Sequence, residues 1–499
     1  MSRSRNVKIA FLSLVCAALA LCVATTSSSL YATNFWTDTN IYFTIGRGMT
    51  QGLMPYRDLF DHKGPLLYMI YALAALISDT SFIGVFCLEV ISLAAMLFAG
   101  YKTVRLYGEG RLAVLSIPLV AMVTVTCTAF TQGGSAEEFC LPALSVALYA
   151  ALRRMHTEDA HPARLHGLFG AATGWVFLIK YTDCGLFFGL GAALIAWELW
   201  NGGLGPAAKA VFAMFGGFCA MVLPVAAYLW VNGALGACLD VYFVQNLFTY
   251  VGEPMTLVEH LYNALAYLRT QGLINPAVTA LAVVGMVSCA GAALLRKRRG
   301  CLLEALSVTL GAGLLLLFVY WGEMAHPYYA LVFASLCPVG LTPLAMVKLP
   351  RNRCAQWASV AACGALVVSI VPVCKALCAA VPLMDVKKEE MPQTVFAAIM
   401  NEEESPTLLD LTSLDQGFYL AAGIMPSCRY FADNNLQTEE KKQAIAGYMA
   451  DGTTQFIVTR YYEPGSRYAL VAQAQGVFDL CDLRTYKLYK RVDDGGENP

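Results

Sequence analysis

Residues 36–68, WTDTNIYFTIGRGMTQGLMPYRDLFDHKGPLLY, carry three acids (Asp38, Asp58, Asp61), two arginines (Arg47, Arg57), His62 and Lys63 directly after an apolar segment. A solvated linker has no need of aromatic and apolar residues between its charges, so this pattern points to chemistry at a membrane surface. Asp38 lies just past the end of the apolar segment. A carboxylate there, beside apolar surface or a nearby cation, is poised as a base; it is equally suited to capping the helix that begins at TNIYFTIGRGM, and the residues alone leave both roles open. Asp61, His62 and Lys63, followed by Gly64 and Pro65, form a polar turn at the head of an apolar helix. Lys63 is a compact cation suited to a lipid phosphate, or else a lysine that snorkels to the interface.

Further along, TQGGSAEEF (131–139) sets Glu137 and Glu138 side by side in a Gly-rich loop. They can hold a metal, orient a sugar hydroxyl, pair with a cation such as Arg47 or Lys180, or simply be solvated. Lys180 interrupts the apolar run WVFLIKYTDCGLFF, where a charge needs a partner, and Asp183 is near in sequence. His326 stands in WGEMAHPYY with Glu323 and Tyr328 beside it.

The elements that position these residues are membrane helices. The chain has 499 residues, 58% hydrophobic and 14% charged, with a mean hydropathy of +0.56, outside the range of soluble globular proteins. Nucleic acid is excluded as a partner by this composition. Most of the 17 cysteines sit in apolar runs, where cysteine acts as a small hydrophobe. No metal-ligating Cys/His spacing occurs; Cys428 and Cys481, in the polar tail, could pair.

A span takes about 20 apolar residues. Candidates are 9–31, 82–101, 112–130, 139–152, 166–179, 183–200, 209–231, 275–295, 301–320, 328–347 and 355–381. The first reads as a retained anchor in preference to a cleaved signal peptide, because it stays apolar to Tyr31. Arg3, Arg5 and Lys8 place the N-terminus in the cytoplasm, and Lys102, Arg105 and Arg111 return there. One crossing is allowed between Lys63 and Lys102, so residues 65–79 lie in the outer interface. The later basic clusters (Arg153, Arg154 and Arg164; Lys209; Arg296 to Arg299; Lys348, Arg351 and Arg353) keep this count. The expectation is an all-α polytopic protein of about 11 spans with outer juxtamembrane helices (1–381), and a small extracytoplasmic α/β domain (382–499). In 231–275, Leu257, Leu261, Leu265 and Leu268 predict a helix lying in the interface. In the tail, 407–411 and 454–462 read as strands, 439–450 and 467–475 as helices, and the DDGGENP end as disordered.

At these residues the chain resembles the GT-C superfamily of polyprenyl-phosphate-sugar-dependent glycosyltransferases, in the branch of the protein O-mannosyltransferases and the aminoarabinose transferase of lipid A. The family's acid after the first span, its aromatic, its Gly-containing spacer and its Lys-Pro-Pro-like turn read here as Asp38, Tyr42, Gly46 to Gly52, and Lys63-Gly64-Pro65 with Tyr68. The acid of the second outer loop matches Glu137 or Glu138, the later lysine Lys180, and the His-Tyr-Tyr-like motif HPYY. Thr39 and Gly64 depart from the family's Glu and Pro, and the tail matches no member's substrate domain.

The resemblance implies a lipid-linked sugar donor and a glycan, lipid or protein acceptor at the outer face of the plasma (inner) membrane. Asp38 would then be the general base, with Lys63, Lys180 and Arg57 or His326 neutralising the departing phosphate. Asp61, His62, Glu137, Glu138 and Tyr328 complete the implied substrate-binding set. A divalent metal held by the acids is compatible with this chemistry but not required by it. A transporter or flippase, whose charges would mark a path near the midplane, and a non-catalytic assembly or sensor protein are the competing readings.

Overall fold

The computed structural model describes residues 3–156, 161–250, 255–296, 300–322, 326–350, 352–461, 463–478, 480 and 482–492. Of the positions named above, Lys297, Arg298, Arg299, Glu323, Arg351, Cys481 and the 493–499 end lie outside the described residues, as do 251–254.

All eleven expected spans fall on helices. In chain order these and their neighbours are α1 (Arg3–Ala24), α2 (Thr37–Thr50), α3 (Pro65–Ile77), α4 (Ile83–Val104), α5 (Ser116–Thr126), α6 (Ala136–His156), α7 (Pro162–Phe177), α8 (Gly185–Gly202), α9 (Leu204–Val231), the short α10 (Leu235–Cys238), α11 (Leu257–Ile274), α12 (Pro276–Arg296), α13 (Cys301–Val319), the short α14 (Cys337–Gly340) and α15 (Thr342–Met346), and α16 (Arg353–Leu377). Among the described residues, seven helices are long and apolar enough to cross a membrane by themselves. The expected spans at 112–130, 139–152, 166–179 and 275–295 coincide with helices that do not meet that test alone; the last meets it only together with α11.

Two local features follow from the sequence. Helix α3 has 13 residues, about 20 Å of helix, too short for a hydrocarbon core of about 30 Å; its start is fixed by Pro65 at the first helical position. Helix α11 is started by a reciprocal cap between Thr256 and Glu259 and meets α12 at a bend of 114°. Its Leu257, Leu261, Leu265 and Leu268 are all exposed.

The tail adds α17 (Pro392–Met400), α18 (Phe418–Ala422), α19 (Glu439–Asp451) and a four-stranded sheet of β1 (Leu408–Leu411), β2 (Phe456–Thr459), β3 (Tyr468–Phe478) and β4 (Asp482–Arg491) in the order β1-β2-β4-β3. Strands β1 and β2 are parallel, and β4 runs antiparallel to both its neighbours. The helix expected at 467–475 is strand β3. Its Ala and Gln residues favour helix in isolation, but pairing with β4 along most of its length overrides that preference.

The tail clasps the segment between α2 and α3. The Phe60 amide donates to the Arg429 carbonyl (2.9 Å), Arg429 Nε donates to the Tyr56 carbonyl (3.1 Å) and Asn434 Nδ2 to the Phe60 carbonyl (3.4 Å). Thr44 of α2 donates to Asp415 Oδ2 at 2.6 Å.

Candidate active site

The backbone of the turn that carries Lys63 is held by several hydrogen bonds. Tyr56 adopts a left-handed φ of 68°, sparsely populated for a bulky residue, and its hydroxyl donates to the Lys63 carbonyl at 2.6 Å. The Lys63 amide donates to the Tyr68 hydroxyl at 2.9 Å, which in turn donates to Asp61 Oδ2 at 2.6 Å. The amides of Gly64 and Leu66 donate to the carbonyls of Ile179 (3.0 Å) and Leu178 (3.1 Å). A Cβ on Gly64 would lie 2.1 Å from the Leu178 oxygen, so the glycine that departs from the family pattern is what lets the turn lie against the backbone leading into Lys180.

Lys63 and Lys180 thereby line one cavity of 390 Å³. Its other walls are mostly apolar or aromatic, among them Ile179, Leu247, Tyr250, Phe318 and Trp321. Lys180 forms an ion pair with Glu137, and its ammonium lies 3.4 Å from the centroid of the Tyr329 ring. Among the described residues, Lys63 Nζ makes no hydrogen bond or ion pair. Burial opposes its charge, but the oxygens of Tyr329 and Asp38, then of Tyr250 and Glu137, outweigh that and hold its pKa above the usual lysine value. His62 packs against Tyr250 with the rings tilted (centroids 4.8 Å apart, 59° between planes); burial, with Lys63, Lys441 and Lys180 nearby, pushes its pKa well below the usual value and keeps the ring neutral. Burial also pushes the Asp61 carboxyl up to about 6, against the opposing effects of the Tyr68 hydrogen bond and Lys63.

Asp38 occupies the first turn of α2, but the cap position is Trp36 and makes no side-chain cap bond; capping is therefore not its role. The carboxylate is 8% exposed and accepts a hydrogen bond from Tyr42 (3.2 Å). Trp36 packs edge-on against Tyr328 (5.1 Å), and His326 stacks on Tyr328 (5.3 Å, 16° between planes). The fields of Asp38 and Lys63 both reach His326, whose pKa is lowered chiefly by burial. The neutral imidazoles leave Lys63 and Lys180 as the cations at this site.

The structure separates Glu137 from Glu138. Glu137 turns to Lys180, while Glu138 accepts from the Gly134 amide (2.9 Å) and lies beside the buried Glu89 of α4, which accepts from Thr25 (2.8 Å). Arg57 is not in the cavity: it is on the surface, paired with Asp58 at 2.7 Å. Arg47 lies buried near Asp415, not at the Glu pair.

In sequence, Tyr242 and Tyr250 fit an interfacial belt or a pocket equally; folding brings them and Tyr329 to the two lysines. Asp183, the sequence neighbour of Lys180, is fully buried, and neither of its carboxylate oxygens has a hydrogen-bond partner among the described residues.

Among the described residues no group of three or more His, Cys, Asp or Glu is arranged to hold a metal ion, and Glu137 is engaged by a lysine. These residues do not fit a metal, and no step is routed through one.

No protein-family model matches the sequence, and no curated protein matches it. Solved structures do. ArnT from Cupriavidus metallidurans bound to undecaprenyl phosphate is 11% identical, with a TM-score of 0.65 over 100% of both chains. The apo state of ArnT is 12% identical, with a TM-score of 0.58 over 95% of this chain and 97% of that one. An archaeal oligosaccharyltransferase, AglB from Archaeoglobus fulgidus, in complex with an inhibitory peptide and a dolichol-phosphate, is 13% identical over 92% of this chain and 70% of that one, at a TM-score of 0.48. Such identities speak for fold alone, and the two ArnT comparisons carry it: this chain shares the fold of ArnT from its first helix to its C-terminal sheet.

Proposed function

We propose that this protein is a membrane glycosyltransferase that moves a sugar from a polyprenyl-phosphate carrier to a hydroxyl of an envelope glycan, lipid or protein, at the outer face of the plasma (inner) membrane. The observation that carries the reading is the cavity of Lys63 and Lys180: two ammonium groups beside apolar and aromatic walls suit a phosphate head on a hydrocarbon chain. ArnT, the fold relative, is a protein found bound to undecaprenyl phosphate.

This reading implies the following chemistry. An acceptor O–H attacks the anomeric carbon, Asp38 takes the proton, and the bond from that carbon to the phosphate oxygen breaks on the opposite face, inverting the centre. The carrier phosphate leaves with one more negative charge. Lys63, with no competing partner among the described residues, meets that charge directly; Lys180, tethered by Glu137, adds a fixed positive field. Glu137 positions Lys180 instead of binding the sugar. Residues 382–499 act as the outer domain that clasps the catalytic turn.

Reconstituted protein supplied with a lipid-linked sugar tests this. Asp38→Asn and Lys63→Ala variants, shown to be folded and inserted, are expected to lose transfer. Full transfer by both would refute the proposal.

A further inference from the structure

A second cavity, of 520 Å³, is walled by residues 26–33 after α1, by the turn before α4, and by α17 and α18 of the tail. Its size is within the range of small-molecule sites, about 300–1,000 Å³. Hydroxyls and amides line it, among them Ser29, Thr33, Ser81, Thr394, Gln393 and Asn401; among the described lining residues Lys388 is the only charged group, and there is no carboxylate.

One buried acceptor in the wall of this cavity, on Gln393, lacks a donor, and a second, on Asn40, lies behind the wall. Gln393 is 9% exposed; its Nε2 donates to the Gln416 carbonyl at 2.8 Å, and its Oε1 has no partner. Gly417, also in the wall, adjoins Asn40 Oδ1, likewise buried and without a partner. Buried acceptors are seldom left this way unless a ligand or water supplies the hydrogen.

The cavity lies across α2 from Asp38. Asp38 and Asn40 are about 200° apart around the helix. Tyr42, on the Asp38 side, packs on Tyr68. On the other side Phe82, a wall residue, packs on Phe43 at 4.8 Å. The two cavities differ in character: that of Lys63 and Lys180 is cationic and aromatic, and this one is nearly neutral and rich in hydroxyls and amides.

We infer that this second cavity is a saccharide-binding site that holds a neutral sugar segment. Hydroxyls and amides without a carboxylate match the hydroxyls of a sugar, and the unpartnered oxygen of Gln393 accepts from one of them. The preference for sugar rests on the walls alone. The occupant's identity as a remote part of the acceptor glycan rests on the transferase reading.

Full-length protein in nanodiscs, probed by saturation-transfer NMR with neutral disaccharides of glucose, mannose, galactose and N-acetylglucosamine, and with glycerophosphoethanolamine as the lipid-headgroup control, tests the inference. At least one disaccharide is expected to bind the wild type. Thr394→Trp, which fills the cavity, and Gln393→Leu, which removes the unpartnered acceptor, should each weaken that binding by about tenfold or more; Asp38→Asn should leave it unchanged. Ser81→Phe serves as a second filling variant should Thr394→Trp not fold. Binding by no disaccharide, binding undiminished in a folded filling variant, or binding of the glycerophosphate probe alone would overturn it. Loss of the transferase reading leaves a different signature: the wild type would show no transfer from a lipid-linked sugar while sugar binding stood.

Discussion

Replacing Gly64 with alanine probes how closely the Lys63 turn must lie against the Lys180 segment. The backbone conformation at Gly64, φ −73° and ψ 150°, suits any residue, so the effect is purely one of contact. The added Cβ would lie 2.1 Å from the Leu178 oxygen and 2.7 Å from that of Ile179, and backbone atoms cannot step aside as a flexible side chain does. Either the turn lifts off, breaking the Gly64–Ile179 and Leu66–Leu178 hydrogen bonds, or both segments deform. Two backbone hydrogen bonds at about 1 kcal/mol each, or overpacking at about 1–3 kcal/mol, give a loss of about 2–3 kcal/mol in stability. A shift of about 1 Å in Lys63 relative to Lys180 costs about 100-fold in rate if both act on one phosphate. Transfer kinetics in proteoliposomes, with thermal unfolding of the same preparation, separate the two effects. A Gly64→Ala protein with kcat/KM within twofold of wild type would refute the idea that this contact sets the spacing of the two lysines.

Lys180→Met leaves the Glu137 carboxylate, 1% exposed, without its cation and should cost about 3–5 kcal/mol in thermal or denaturant unfolding; adding Glu137→Gln should recover much of that stability but not transfer. Asp61 binds its proton more tightly in the folded protein, because burial lifts its pKa from 3.8 to about 6. The stability this contributes is complete below about pH 4 and is lost as pH rises through about 6, a change of about 3 kcal/mol; Asp61→Asn should flatten that part of the pH-stability curve in unfolding measured from pH 4 to 7. Arg57→Ala should change transfer less than twofold in the same kinetic assay, since the side chain is on the surface and bound to Asp58.

Much of the polytopic architecture is legible because its physics is one-dimensional. Spans are runs of apolar residues of fixed length, and the short α3 betrays itself by length. The turn at Asp61 to Gly64 is legible because charges between apolar segments need a reason to be there. Local preference misleads where pairing between distant segments decides, as at β3, whose Ala and Gln residues lie in a strand only because β4 lies beside it.

By itself the sequence determined that this chain is a multi-spanning membrane protein with charged and aromatic residues gathered around Asp38 and Lys63. Which of those groups meet was decided by tertiary structure alone. Glu137 and Glu138 are adjacent in sequence and face different partners, Lys180 and the Glu89 region, because successive side chains on a helix point about 100° apart. Arg57 and Lys63, six residues apart, end on the surface and in the cavity, because the tail grips the backbone between them at Phe60.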